Sequence, residues 1–190
     1  MKKAATEKKA GEFLRAICPT ADWDSDPELA ETPRRFVQML RELTTPEDFN
    51  FTTFDNYATV NGDSELVTVR DISFVSLCKH HIAPFVGVAH IGYIPGDKIA
   101  GLSKFARSVR WWSKGLWTQE ELTHAIAGYL DDELDPAGIA VRTECEHMCM
   151  TIRGVQAPGT KTVCTQLRGL FLNPATGRDP KGEFLESIRH

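Results

Sequence analysis

No stretch of this 190-residue sequence approaches the roughly 18 consecutive apolar residues that a membrane-spanning helix requires, so nothing in it reads as crossing a bilayer. Charge of one sign is scarce too. The formal net charge is −4, too small and of the wrong sign to draw the chain to nucleic acid or to an anionic membrane surface. Any site for a phosphorylated ligand must therefore be a local cluster of basic residues. The segment Met1–Lys9 is positive, but no apolar run follows it, so it does not read as a secretory signal. Cysteines are few and odd in number, five in all. That argues against a disulfide framework and for a reducing, cytoplasmic setting. Cys18, Cys145 and Cys164 read as small buried apolar side chains. There is no low-complexity tract and no strong internal repeat.

Apolar residues make up 42% of the chain, enough for one globular core with a small helical appendage. Residues 1–60 read as an N-terminal helical region and 61–190 as the main domain. In the first, Ala10–Ile17 has helical spacing and Asp22–Pro27 is an acidic connector. Thr32 is expected to cap a second helix with Pro33 at its first position. In the second, Glu65–Phe74 and Val86–Ile94 alternate as strands do. Ser103 is expected to cap a helix over 104–112. Thr118 and Glu121 form the capping-box signature of another, with an apolar stripe of Leu122, Ile126, Tyr129 and Leu130. Strands follow over 139–145 and 162–167, then a short helix from Pro180. This order predicts an α+β fold, an antiparallel sheet with helices on one face. Trp111, Trp112 and Trp117 are assigned to the core or to subunit contacts rather than to base stacking.

Two short clusters carry the chemistry. One is Cys78-Lys79-His80-His81 and the other is His147-Met148-Cys149. Thiolate and imidazole are the groups that hold zinc best, and both occur here at ligand spacing. Cys78 and His81 would face opposite sides of an extended strand, so they share a metal only if the chain turns there. His147 and Cys149 would face the same way on an extended segment. If Cys78, His81, His147 and Cys149 all ligate, the zinc is structural. If three ligate, one position stays open to water and the site is hydrolytic, with His80 and His147 as neighbouring acid–base groups. Spacing leaves both arrangements open.

Ser103, Lys104 and Arg107 lie at a helix start, where a hydroxyl, two cations and free backbone amides suit a phosphate. The same residues also suit a solvated basic face. Arg153 supplies another cation just past Cys149. Gln119 and Glu120 lie in a first helical turn, where a carboxylate complements the dipole. A fixed carboxylate there can also accept two parallel hydrogen bonds from an amidine-like edge such as that of guanine.

In this order, with Gly101-Leu102 before Ser103, Met150 after Cys149 and Gly169-Leu170-Phe171 near the end, the sequence resembles GTP cyclohydrolase I from about Thr32 to Leu185. The resemblance implies a tunnelling fold in the 61–190 domain, closing into a toroidal homo-oligomer, typically a decamer with active sites between subunits. It implies conversion of GTP and water to 7,8-dihydroneopterin triphosphate and formate, the entry to folate or tetrahydrobiopterin synthesis. It implies zinc on Cys78, His81 and Cys149, hence the open arrangement, with His80 and His147 as acid–base residues. Glu120 beside Gln119 would anchor guanine, and Ser103, Lys104, Arg107 and Arg153 the triphosphate. No nucleic acid or membrane partner is implied. Two departures stand out. Lys79 replaces the usual Glu of Cys-Glu-His-His, and Lys114–Thr118 differs from the common run before Gln119. These departures motivate one alternative, a related zinc enzyme acting on another purine nucleotide, and the four-ligand arrangement with His147 gives a second, a non-catalytic nucleotide-binding protein with a closed structural zinc.

Overall fold

The computed structural model describes residues 2–56 and 65–189. The chain divides into two compact units, Met1–Thr45 and Pro46–His190. The boundary expected between 60 and 61 lies outside the described residues.

The first unit consists of α1 (Lys2–Ile17) and α2 (Thr32–Thr44). The connector between them is pinned by polar contacts. Arg15 Nη1 donates to Asp24 Oδ1 at 2.9 Å, and Trp23 Nε1 donates to the Cys18 carbonyl at 2.9 Å. Thr32 does not cap α2. The cap position falls on Glu31, whose carboxylate is taken by Arg34 instead of by a helix amide. Cys18 is exposed, contrary to its expected burial, because it lies just past the end of α1, in the connector.

In the second unit, β1 (Thr53–Asp55) and β4 (Lys98–Ala100) make a two-stranded antiparallel ribbon. The main sheet has the order β5-β2-β3-β6-β7. Its long strands are β2 (Val67–Cys78), β3 (Pro84–Ile94), β6 (Gly138–His147) and β7 (Lys161–Gly169), all antiparallel. The two-residue β5 (Leu116–Trp117) runs parallel to the end of β2, so the sheet is mixed rather than wholly antiparallel. A segment of two residues is too short to carry a periodic signal in the sequence.

Alternation along the strands sorts side chains to two faces. Ile91, Tyr93, Ile139 and Val141 meet α3 (Leu102–Trp112) and α4 (Gln119–Leu134) through Phe105, Val109, Leu122, Ile126, Leu130 and Leu134, all buried. Ile94 and Ala140, one residue out of phase, meet Phe184 and Ile188 in a second, smaller core. Phe184 belongs to α6 (Pro180–Ser187). Helices therefore lie on both faces, the smaller share on the second. Gly92 makes this possible, since a Cβ there would stand 2.6 Å from Phe184 Cδ2. Trp112, set against Trp117 and Tyr129 at ring distances of 5.9 and 6.0 Å, packs on the edge of the larger core.

Candidate active site

Three chain segments converge at one end of the sheet. β2 delivers Cys78 as its last residue, and the chain then reverses. The Cys78 amide bonds the Ala83 carbonyl at 2.8 Å, and the Ile82 amide bonds the Cys78 carbonyl at 2.8 Å. Ile82 takes a left-handed conformation, φ 53°, to close the turn. This is the reversal that Cys78 and His81 need in order to face one point. Strand pairing brings the second segment, because Phe85 at the start of β3 lies opposite His147 at the end of β6. His147 is the last extended residue. Cys149 sits in the short helix α5 (Met148–Thr151), not on the extended segment expected from sequence. The third segment is the start of α4, carried to the turn by the pairing of Trp117 with Cys78.

The ligand atoms of Cys78, His81 and Cys149 lie within 4.8 Å of one another. Cys78 Sγ is 3.8 Å from His81 Nδ1. With zinc–sulfur and zinc–nitrogen bonds of about 2.3 and 2.0 Å, tetrahedral ligands stand about 3.6–3.8 Å apart. The spacing and the donor set both fit such a cation. Burial, then the neighbouring Cys78 sulfur, pushes the Cys149 thiol up, while Arg153 opposes this. A bound cation reverses that preference by taking both sulfurs as thiolates. Cys78 is buried, Cys149 half-buried and His81 exposed, so the cage opens on the histidine side.

His147 is outside this group of three. Its ring stacks on buried Phe85 with centroids 4.8 Å apart and planes 11° from parallel. Its Nε2 lies 2.8 Å from Gln119 Oε1. Gln119 is 1% exposed. Its amide nitrogen donates to the Thr143 carbonyl at 3.1 Å, the Thr143 hydroxyl at 3.0 Å and the Thr162 carbonyl at 3.0 Å. The Thr123 hydroxyl donates to the Gln119 carbonyl at 2.7 Å and lies 2.8 Å from the Thr143 hydroxyl. Proton directions around this ring are thus fixed: Thr143 donates to Thr123, and Gln119 donates to Thr143. Gln119 Oε1 can only accept, so His147 Nε2 carries a proton and Nδ1 is its free nitrogen. Burial lowers the imidazole pKa, with Glu120 partly opposing, so His147 is neutral near pH 7.

A cavity of about 220 Å3 collects Cys78, His80, His81, Gln119, Glu120, His147 and Cys149, together with Trp117, Thr118, Met150 and Thr162. His80 is exposed at its rim, its ring 6.2 Å from that of His81. The expected phosphate group is not in this wall. Ser103, Lys104, Arg107 and Arg153 are not among its lining residues, and among the described residues no Lys or Arg lines the cavity, although Arg153 is near enough to act on the Cys149 thiol. Ser103 is not a cap either. Gly101 holds that position, and Ser103 is exposed in the first turn of α3. Lys104 Nζ donates to the Asn50 carbonyl at 2.6 Å, and Arg107 is exposed one turn on.

Sequence reasoning gave no role to Phe85, Thr123 or Thr143, which set the orientation of His147. The one available signal was a threonine, Thr143, in register with the apolar inward positions Ile139, Val141 and Cys145 of its strand.

Comparison with known proteins is consistent along the chain. The family model described as GTP cyclohydrolase I matches residues 6–189. The chain is 41% identical over 187 residues to GTP cyclohydrolase 1 of Aquifex aeolicus, covering 98% of each chain. It is 45% identical over 178 residues to GTP cyclohydrolase 1 of Streptomyces avermitilis, covering 90% of this chain and 86% of that one. It is 40% identical over 191 residues to GTP cyclohydrolase 1 of Bacillus subtilis, covering 98% of each.

Proposed function

The chain belongs to the GTP cyclohydrolase I family and carries the hydrolase function of that family, and on this premise we propose how its residues turn GTP and water into 7,8-dihydroneopterin triphosphate and formate. The observation that carries the reading is the three-membered cage beside a histidine whose proton position is fixed.

Cys78, His81 and Cys149 would hold zinc, which when bound supplies a Lewis acid and a water acidified to a pKa of about 7. Glu120 lines the same cavity and accepts the paired N–H groups of the guanine edge. The Gln119 amide is spent on His147, Thr143 and Thr162, so Gln119 serves the site by holding His147 rather than by reading the base. Phe85 blocks one face of the imidazole and keeps it from swinging. His147, neutral and with Nδ1 free, takes and returns protons at the purine, and His80 at the rim exchanges protons with solvent. A proton delivered to N7 leaves C8 poor in electrons. Water adds there, the imidazole ring opens, and formate leaves. The ribose carbons then close the pterin ring while the triphosphate is held.

Ser103, Lys104, Arg107 and Arg153 are the groups we assign to the triphosphate. A cavity wall without cations supports a site completed by a second copy, with active sites between subunits. Membership of the family supports the tunnelling fold, its closure into a toroid, and a decamer. A cytoplasmic location, and a place for the product in reduced-pterin synthesis, belong to the same reading. Among the described residues, no helix is long and apolar enough to cross a membrane.

The test is incubation of the zinc-loaded protein with GTP, reading released formate and a fluorescent pterin after oxidation. Both should appear, with GTP preferred over ATP. Absence of both in assembled protein would reject the reading.

A further inference from the structure

Lys79 stands where the family usually has a carboxylate, between a metal ligand and the rim histidine. A loose cation there would weaken the site's hold on its zinc. It is not loose. Lys79 Nζ donates to Glu121 Oε1 at 2.6 Å and to Oε2 at 2.5 Å. The Lys79 amide also donates to the Trp117 carbonyl at 3.0 Å. Glu121 in turn closes the capping box of α4. Its carboxylate accepts from the Thr118 amide at 3.2 Å, and its own amide donates to the Thr118 hydroxyl at 3.2 Å. One carboxylate therefore joins two structures. On one side is the turn that carries Cys78, His80 and His81. On the other is the first helical turn that carries Gln119 and Glu120.

We infer that the Lys79–Glu121 pair is a positioning clamp, fixing the metal-binding turn against the guanine-side helix start so that the purine carbon meets the cage in register. The inference rests on the reaction proposed above for its consequence, but the clamp itself is a geometric statement about this chain. The pair is half-exposed, at 43% and 47%, so its contribution to global stability is small. Its effect is local. Two elements already joined by the short β2–β5 pairing are further held at one spacing, and displacement of a bound substrate by about 1 Å can cost about 100-fold in rate.

The decisive variant is Glu121→Gln. Glutamine can still serve in a capping box, so α4 stays capped while the charge partner of Lys79 is lost. The expected result is a kcat for GTP lower by about tenfold with KM within about twofold, and an unchanged unfolding midpoint. Amide exchange across residues 78–83 should be faster in this variant, a readout that does not depend on turnover. Lys79→Met, which leaves the capping box untouched, should fall about as far. The double variant K79M/E121Q should fall little further than either single one, the signature of a direct pair. Exchange at 78–83 unchanged in Glu121→Gln would overturn the clamp. So would losses in Lys79→Met and Glu121→Gln that simply multiply in the double variant. Absence of GTP turnover in the wild type would instead sink the proposed reaction, and the exchange measurement would still judge the clamp.

Discussion

The Nε2 atom of His147 lies 2.8 Å from Oε1 of Gln119, and the Gln119 amide has no freedom to turn. Reversing it would set its oxygen against the carbonyls of Thr143 and Thr162. A buried glutamine thereby decides which nitrogen of the His147 imidazole carries the proton.

Gln119→Ala should separate this effect from packing. It removes the acceptor for His147 and strands the carbonyls of Thr143 and Thr162. Each buried group left unpaired costs about 1–3 kcal/mol, so the unfolding midpoint should fall measurably in denaturant titration. Loss of a partner that orients an active-site histidine should lower kcat by about 10–100-fold. A variant with normal kcat would show that the tautomer is set by something else.

Removal of the metal should abolish turnover and its return should restore it. Wild-type protein should carry about one zinc per chain, measured by elemental analysis. Cys149→Ala should lose that zinc. His147→Ala should keep it while losing activity, because His147 is bonded to Gln119 and stands outside the cage. Zinc lost from His147→Ala would mean that this histidine is a ligand after all.

Arg107→Ala tests the triphosphate assignment. The side chain is exposed on α3, so the melting temperature and zinc content should not change. Losing one charge-assisted contact of about 1.5–3 kcal/mol should raise KM for GTP by tenfold or more. An unaltered KM would remove Arg107 from the site.

Cys145 is 1% exposed, and burial pushes its thiol from 9.0 up to about 12. The folded state thus disfavours the thiolate. Stability from this source is intact below pH 9, where both states are protonated, and is lost as pH climbs toward 12 and the unfolded chain ionises first. Cys145→Ala should lose less stability than wild type across that interval in parallel unfolding curves. At pH 8, a thiol reagent should label exposed Cys18 in the native protein and reach Cys145 only on unfolding.

Much of the frame was legible because local chemistry and fold agree. The Thr118–Glu121 capping box forms as read, and the stripe Leu122, Ile126, Leu130 is buried. The three groups that gather around one point were visible as thiol and imidazole at ligand spacing. What failed was local inference about caps and faces. Thr32 and Ser103 are cap-type residues, yet Glu31 and Gly101 hold the cap positions. His147 and Cys149 could not share an extended segment once α5 began between them. Neither the closed ring of Gln119, Thr123 and Thr143 nor the bond from Lys79 to Glu121 leaves a trace in sequence spacing, because both join elements that meet only in the folded sheet.

The β3–β6 ladder, from Ile94 opposite Gly138 to Phe85 opposite His147, has a consequence for how the protein is made. The grouping of Cys78, His81 and Cys149 around one point is complete only once this long-range ladder has zipped to its far end. A chain whose β6 pairs out of register would leave Cys149 away from Cys78 and His81, so a cation that needs all three would be held only by chains whose ladder is correctly paired.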